Sequence, residues 1–221
     1  MKLFLNAIIK FLCGAVLVGL LVFLPAGSLV FFEGWLFMGL LFIPMFFAGI
    51  VMLVKAPSLL EKRLDIKEKR SSQKGVVGFS GLIFIAGFVL AGLDHRFGWS
   101  DVPMAVIIIA SVLFIISYIL YAEVMRENAY LSRTIKVEKN QKVIDTGLYS
   151  VVRHPMYAVT VVLFLMIPLV LGSFFALIPF AFYPFLISVR IIDEEKLLSK
   201  ELTGYEEYKK KVKYRLIPFI W

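Results

Sequence analysis

A short basic segment stands directly before a long uncharged stretch of the chain. It reads GLYSVVRHPMY (residues 147–157), and after His154 no charged residue occurs before Arg190. Proline is favoured at the first position of a helix because its missing N–H is not needed there, so we expect a helix to begin at Pro155. Free backbone N–H groups and the positive end of the helix dipole would then lie beside Arg153 and His154. These features predict an anion site; the alternative is an interfacial anchor that meets lipid headgroups.

Three consecutive carboxylates follow the same uncharged stretch: Asp193, Glu194 and Glu195. Arg190 precedes Glu194 by four residues, so the two can pair if a helix continues through them. Neighbouring positions of a helix point about 100° apart, so all three carboxylates cannot face one solvated surface. If the uncharged stretch folds into a hairpin, the carboxylates come near residues 153–154. Cations on one wall and carboxylates on the other would suit a zwitterion that also carries hydroxyl groups; an ordinary charged helix start is the alternative.

Composition indicates which elements position these residues. The chain has 221 residues, is 60% hydrophobic and contains 21 Phe, which is outside the range of soluble domains. A transmembrane helix needs about 20 apolar residues. Four uncharged runs meet this length, at residues 11–32, 34–54, 75–93 and 102–122.

The fifth uncharged run, residues 155–189, is shorter than the roughly 40 residues that two full crossings need. It predicts either two short, tilted spans or a hairpin that enters and leaves on the same side. The bend is expected at LGSFF, residues 171–175, because Gly and Ser tolerate turn geometry. The predicted fold is therefore a single all-α polytopic membrane domain over residues 1–221, with four transmembrane helices plus a C-terminal hydrophobic helical hairpin.

Basic residues predict the orientation of these spans. All of the 24 Lys and Arg residues except Arg96 fall on one side if the first four spans alternate and the fifth run is a hairpin. By the positive-inside rule that side is the cytoplasm, with both termini inside. The net charge of +8 then reflects this topology and contact with the lipid bilayer, so nucleic-acid binding is not predicted. One Cys and two His give no basis for a Cys/His zinc site, and no metal is predicted.

Two further cytoplasmic segments have less specific patterns. Residues 55–74 alternate charges and are interpreted as a solvated surface helix rather than a substrate site. Apolar and aromatic residues from Leu197 to Val212 recur at three- and four-residue spacing. This spacing predicts an amphipathic helix that lies along the membrane or closes over a site, with a bend at Gly204.

Several motifs of the C-terminal third occur together in a recognisable order. GLYSVVRHPMY, the uncharged hairpin, RIIDEEKLL and LTGYEEYKKKVKYRLIP resemble the isoprenylcysteine carboxyl methyltransferase family, in its prokaryotic branch, and the related phospholipid N-methyltransferases. The resemblance is specific from Lys142 to Trp221. It implies a pocket for S-adenosylmethionine formed by residues 142–157 and 190–221. The cofactor-binding positions that it implies are Gly147, Leu148, Tyr149, Arg153, His154, Tyr157, Glu194 and Glu195.

The chemistry of S-adenosylmethionine agrees with the reading of the individual residues. Its methionine carboxylate suits Arg153 and His154, whereas its ammonium or ribose hydroxyls suit the paired glutamates. Arg190 is a candidate catalytic residue that would orient an anionic acceptor, and Asn128 is a second candidate facing the pocket. The resemblance implies a methyltransferase at the cytoplasmic face of a prokaryotic inner membrane. Its lipophilic acceptor, the carboxylate of a prenylcysteine-like molecule or a lipid amine, would enter from the bilayer.

Two other functions remain open from the sequence. One is an NADPH-dependent membrane reductase of the steroid-reductase type, which has a related C-terminal layout; the chain lacks a G-x-G-x-x-G fingerprint, although such membrane enzymes need not use one. The other is a transporter or a non-catalytic membrane protein. Charged residues inside the spans and internal repeats are typical of transport paths, and neither occurs in the first four runs. The sequence does not indicate an oligomeric state.

Overall fold

The computed structural model describes residues 2–65, 71–132, 134–135 and 137–221. Within these ranges the regular secondary structure is helical and no β-strand occurs. In chain order the helices are α1 (Lys2–Ala26), α2 (Phe32–Lys55), α3 (Pro57–Leu64), α4 (Ser71–Phe97), α5 (Met104–Glu127), α6 (Pro155–Val170), α7 (Leu177–Phe180), α8 (Tyr183–Glu201) and α9 (Tyr205–Lys211), with a 3₁₀ turn at Gly147–Ser150. Basic residues counted in the predicted topology that lie outside the described ranges are Lys67, Lys69, Arg70, Arg133 and Lys136.

Four of the helices are long and apolar enough to cross a membrane, namely α1, α2, α4 and α5. The prediction of an all-α polytopic membrane protein is thereby confirmed. In the most apolar 18-residue stretch of α4, 33% of the residues are buried within the protein, compared with 6% in the corresponding stretches of α1 and α2. Helix α4 therefore lies toward the centre of the bundle, whereas α1 and α2 present most of their apolar side chains outward.

The first helix differs from the predicted run at both ends. It begins at Lys2 rather than residue 11, and it continues through Lys10, whose Nζ donates to the carbonyl of Leu64 at 2.6 Å. It ends at Ala26 rather than residue 32, because Gly27 adopts a left-handed conformation with φ of 65° and turns the chain toward α2. The positions of charged residues thus predicted the apolar part of α1 but not its ends. The helix includes Lys10, and the turn at Gly27 sets its C-terminal end.

The predicted hairpin is present, with its bend at the expected place. Helix α6 begins at Pro155, and the chain turns between residues 171 and 176, where Gly172 has a φ of 67°. The Ser173 hydroxyl in this turn donates a hydrogen bond to Asp94 near the end of α4. Asp94 also accepts bonds from the backbone N–H and the hydroxyl of Ser100, both at 2.7 Å. The hairpin turn is thus held to the loop that connects α4 to α5.

The hairpin extends along most of α4. Near the beginning of α4, Gln73 accepts a hydrogen bond from Arg190 of α8, and near its end Asp94 accepts one from Ser173. Asp94 follows Gln73 by 21 residues, which corresponds to about 32 Å of helix at 1.5 Å per residue. The hydrocarbon core of a bilayer is about 30 Å thick. This depth favours two short crossings over a shallow re-entrant loop.

Aromatic side chains pack the hairpin against α4. Phe84 makes edge-on contacts with Phe164 of α6, at a centroid distance of 4.8 Å, and with Phe180, at 5.3 Å. Gly87 leaves the space that this packing needs, because a Cβ there would lie 2.3 Å from the Phe180 ring. Lipid tails are as apolar as these side chains, so close packing rather than escape from water stabilises such contacts in a membrane. The packed hairpin fixes where its two polar ends meet.

Candidate active site

Glu195 is the centre of a buried group of charges where the hairpin closes. Its Oε1 accepts a hydrogen bond from Arg153 Nε at 2.7 Å and lies 3.3 Å from His154 Nε2, and its Oε2 accepts one from Arg215 Nε at 2.8 Å. Burial by itself would raise the pKa of Glu195. The hydrogen bonds from His154, Arg153 and Arg215 outweigh burial and hold the pKa of this carboxyl well below its usual range. Glu195 is therefore ionised, and protein donors engage both of its oxygens.

The entrance of α6 is also joined to the C-terminal segment, residues 212–215. The backbone N–H groups of Arg153 and His154 donate to the carbonyls of Tyr214 and Arg215, both at 2.9 Å. The Arg153 guanidinium donates to two more carbonyls of this segment, those of Val212 and Lys213, both at 2.8 Å. We expected these cations to face a ligand across from the glutamates. In the structure Arg153 and His154 pair with Glu195 and hold the C-terminal segment in place, and both also line the cavity described below.

Tyr157 connects the two residues of α8 that were expected to pair directly. Its hydroxyl accepts a hydrogen bond from Arg190 Nε at 2.9 Å and donates one to Glu194 Oε2 at 2.5 Å. The Arg190 guanidinium carbon lies 5.9 Å from the centroid of the same ring, and the His154 ring stacks against it at 5.7 Å. The hydroxyl can make both bonds because it is donor and acceptor at once. Residues from both ends of the hairpin are thereby joined.

Gln73 is a buried site residue that sequence reasoning missed. Its side chain is fully buried; Oε1 accepts from Arg190 Nη1 at 3.2 Å, and Nε2 donates to Asp193 Oδ2 at 2.6 Å. It belongs to the segment 55–74, which we had interpreted as solvated. A single polar residue before an uncharged run is shared with many helix starts, so no sequence signal distinguished it.

Helix α3 is also partly buried, although residues 55–74 were interpreted as a solvated surface helix. Leu59 and Leu60 are buried, and Lys62 forms an ion pair with Glu138 at 2.7 Å. Arg63 lies over the Tyr121 ring and reaches toward the sulfur of Met156, which lines the cavity described next. The solvated-surface interpretation is therefore wrong for α3, because its apolar face packs inward and its cations contact the residues around the site.

A cavity of about 90 Å³ lies beside these contacts. Its walls are the start of α6, α8, α9 and the irregular segments 128–135 and 141–144, as far as these are described. Seven of the ten predicted site residues line it: Asn128, Tyr149, Arg153, His154, Tyr157, Arg190 and Glu194. The structure therefore brings most of the predicted site together.

The other three predicted residues do not line the cavity but are adjacent to residues that do. Glu195 forms the ion pairs described above, and Gly147 and Leu148 belong to the 3₁₀ turn that leads to Tyr149. Gly147 has a φ of 50°, and a Cβ there would lie 2.2 Å from the carboxylate oxygens of Glu127. Only glycine meets both demands without strain.

Tyr149 and Asn128 hold the opposite side of the cavity. Asn128 Nδ2 donates to the Tyr149 hydroxyl at 2.9 Å, and Asn128 Oδ1 accepts from the backbone N–H of Tyr130 at 3.0 Å. The Tyr208 hydroxyl donates to the Tyr149 carbonyl at 2.7 Å. Burial raises the pKa of Tyr149, so its phenol stays protonated at neutral pH. Asn128 therefore both lines the cavity and orders the segment that follows α5.

This geometry can be compared with known families. The chain matches the isoprenylcysteine carboxyl methyltransferase (ICMT) family over residues 106–200. The match supports the predicted family, and it covers most of α5, the cavity-lining segments 128–135 and 141–144 and the hairpin through most of α8. The prokaryotic branch and the relation to the phospholipid N-methyltransferases stay predictions. No curated protein matches the chain. Together with the four apolar helices, the ICMT match supports an integral membrane methyltransferase.

The cavity can be tested against the cofactor that ICMT family methyltransferases generally use, S-adenosylmethionine. Its lining offers a carboxylate at Glu194, a guanidinium at Arg190 and the aromatic faces of Tyr149 and Tyr157. These groups fit the ammonium, carboxylate and sulfonium of such a molecule, since cations are attracted to aromatic faces. Pockets for ligands of this size have volumes of roughly 300–1,000 Å³. The chemistry of the lining fits such a molecule, while the cavity volume of about 90 Å³ is below this range.

Proposed function

We propose that this ICMT-family chain transfers the methyl group of S-adenosylmethionine to a lipophilic acceptor at the cytoplasmic face of a prokaryotic inner membrane. One observation carries the proposal: the two polar ends of an apolar hairpin meet in a cavity whose lining includes Tyr157, Arg190 and Glu194. The hairpin supports access from the bilayer, and the adjoining irregular segments support access for a polar cofactor. The orientation follows from the positive-inside rule.

Each part of the cavity has a role in this proposal. Glu194 would accept hydrogen bonds from the ammonium or the ribose hydroxyls of the cofactor, while Tyr157 holds its carboxylate in place. Tyr149 presents an aromatic face, and the Glu195 group keeps the C-terminal segment closed behind it. When bound, S-adenosylmethionine supplies an activated methyl group on a sulfonium. The protein then has to align donor and acceptor and exclude water.

Arg190 favours an anionic acceptor. Its guanidinium is buried, lines the cavity and is oriented by Tyr157 and Gln73. A carboxylate acceptor is already ionised at neutral pH and needs no base, whereas a protonated amine would need one. Glu194 is the one carboxylate among the described residues that line the cavity, and it already accepts a bond from Tyr157. The carboxylate of a prenylcysteine-like molecule is therefore the preferred acceptor, and a lipid amine is the alternative.

The proposal is tested by titrating S-adenosylmethionine, and separately NADPH, into the purified protein in detergent. We expect S-adenosylmethionine to bind and Glu194→Gln to weaken binding by about tenfold or more, since hydrogen bonds to charged groups contribute about 1.5–3 kcal/mol. Glu206→Gln is the matched control, because Glu206 lies outside the cavity and pairs with Lys209. Glu195 is unsuitable as a first variant because its loss would disrupt the fold.

Two outcomes of the titrations would reject the proposed methyltransferase activity. Binding of NADPH without S-adenosylmethionine would favour the reductase. Binding of neither by the folded protein would favour a non-catalytic membrane protein. A normal response of Glu194→Gln to S-adenosylmethionine would reject this cavity as the binding site while leaving the cofactor assignment intact.

A further inference from the structure

Tyr205 is a buried tyrosine in the wall of the cavity. The residue is 3% exposed, lines the cavity and begins α9. Among the residues that the structure describes, its hydroxyl finds no hydrogen-bond partner. Tyr208, less than one turn later, provides a contrast, because its hydroxyl donates to the Tyr149 carbonyl. A buried hydroxyl without a partner is uncommon in proteins and requires an explanation.

The Tyr205 side chain is held in position and cannot turn toward water. Gly204 before it adopts the left-handed conformation with φ of 87°, which sets the direction in which α9 begins. Its ring lies 5.8 Å from that of Tyr208, and both belong to a buried cluster with Leu202 and Val212. This packing fixes the Tyr205 ring beside the cavity that it lines.

The Tyr205 hydroxyl is a hydrogen-bond donor under all ordinary conditions. Burial raises its pKa, and the nearby carboxylates of Glu195 and Glu194 raise it further. The positive charge of Arg153 acts in the opposite direction without reversing the shift. A protonated, buried phenol requires an acceptor, and a ligand in the cavity is placed to provide one.

We infer that the Tyr205 hydroxyl donates a hydrogen bond to the nucleoside of the bound cofactor, at a ring nitrogen of adenine or an oxygen of ribose. This inference rests on the proposed function. An uncharged acceptor is favoured because Glu194 and Glu195 lie close enough to repel a carboxylate. Tyr205 lies beyond residue 200, where the ICMT family match ends, so the match assigns it no role.

Tyr205→Phe tests the inference, because it removes the hydroxyl and keeps the ring. We expect binding of S-adenosylmethionine to weaken by about five- to fiftyfold, since the cofactor atom loses its donor. Binding of 5′-methylthioadenosine, which has the nucleoside but no carboxylate, should weaken by the same factor. The ligand-free variant should unfold at the same temperature as the wild type or a higher one, because an unsatisfied polar group has been removed.

Tyr208→Phe is the matched control for stability. It removes a hydroxyl that has a partner, so the ligand-free protein should unfold at a lower temperature. If Tyr205→Phe lowers the unfolding temperature as much as Tyr208→Phe does, its hydroxyl has a protein partner and the inference is wrong. Unchanged binding of S-adenosylmethionine to Tyr205→Phe also overturns it, while leaving the proposed function standing. Weaker binding of S-adenosylmethionine with unchanged binding of 5′-methylthioadenosine overturns the assignment to the nucleoside. Failure of the wild type to bind S-adenosylmethionine overturns the proposed function itself and this inference with it.

Discussion

The side-chain amide of Gln73 accepts a hydrogen bond from the Arg190 guanidinium at 3.2 Å. Its other end donates to Asp193, so one buried amide orients two residues of α8 that lie almost one turn apart. Gln73 belongs to the transmembrane helix α4, whereas Arg190 lies where the hairpin leaves the apolar region. The bond therefore links the first turn of a transmembrane helix to the cavity.

Gln73→Leu should destabilise the protein. The leucine fills a similar volume but removes one partner from Arg190 and one from Asp193, each buried or partly buried. We expect a loss of about 1–3 kcal/mol, or about 3–10 °C in the unfolding temperature for a chain of this size. Thermal unfolding in detergent measures this. Ser80→Ala on the same helix is the control, because the Ser80 hydroxyl donates to the Val76 carbonyl within α4 rather than to another helix. Equal unfolding temperatures for the two variants would contradict the role of Gln73.

Glu195→Gln should lower stability at neutral pH and flatten its dependence on acid. The native pKa of Glu195 is depressed below its ordinary value of 4.5, so its stabilising contribution is complete above pH 4.5 and is lost as the pH falls toward the native value. Leaving Arg153 and Arg215 with a neutral partner should cost about 3–5 kcal/mol at pH 7. Unfolding temperatures between pH 7 and pH 3 test this expectation.

The contrast between Glu195 and an exposed glutamate makes the pH test specific. Glu206→Gln should leave both the unfolding temperature and its pH dependence unchanged, since the Glu206–Lys209 pair lies at the surface. If Glu195→Gln lost stability on acidification as steeply as the wild type, the ion pairs at Glu195 would not be the cause of the acid sensitivity.

Asp94→Ala should loosen the hairpin turn without changing the cavity. Asp94 accepts hydrogen bonds from Ser100 and Ser173 at the end of α4 opposite to Gln73. We expect a loss of about 1–3 kcal/mol of stability, because the donors of Ser100 and the buried Ser173 lose their acceptor. The affinity for S-adenosylmethionine in the folded protein should remain as in the wild type. Asp101→Ala, at an exposed position nearby, should change neither quantity. A large loss of cofactor affinity in Asp94→Ala would show that the two ends of the hairpin are coupled.

Gly147→Ala should displace the turn that carries Tyr149. A Cβ at Gly147 would overlap the Glu127 carboxylate, and the residue also has a positive φ. Gly98→Ala is a matched control, since Gly98 has a φ of 63° but an open space around it. Both variants bear the left-handed backbone cost of about 1–2 kcal/mol. Only Gly147→Ala should also weaken binding of S-adenosylmethionine, measured by titration. Similar affinities in both variants would show that Tyr149 does not depend on this glycine.

Local properties predicted the parts of the fold that depend on one segment at a time. Four uncharged runs of sufficient length became α1, α2, α4 and α5. Pro155 begins α6, Gly172 lies in the hairpin turn and Gly204 bends the chain between α8 and α9. Helix length, proline geometry and glycine conformation are properties of adjacent residues, so the sequence alone carries them.

The partners of the polar residues depended on the tertiary structure. The structure brings Arg153, His154 and Glu195 together, and Arg215 from the C-terminal segment completes the ion-paired group in a way that the sequence did not indicate. Gln73 had no distinguishing signal in the sequence, and Tyr205 was one of several periodic apolar and aromatic residues between Leu197 and Val212. Their roles depend on burial and on which polar side chains lie within hydrogen-bond distance. Both properties are set by the packing of segments that are far apart in the chain. Length and apolarity alone therefore determined the membrane helices, whereas only the folded bundle decided which charges meet and which hydroxyl finds no partner among the described residues.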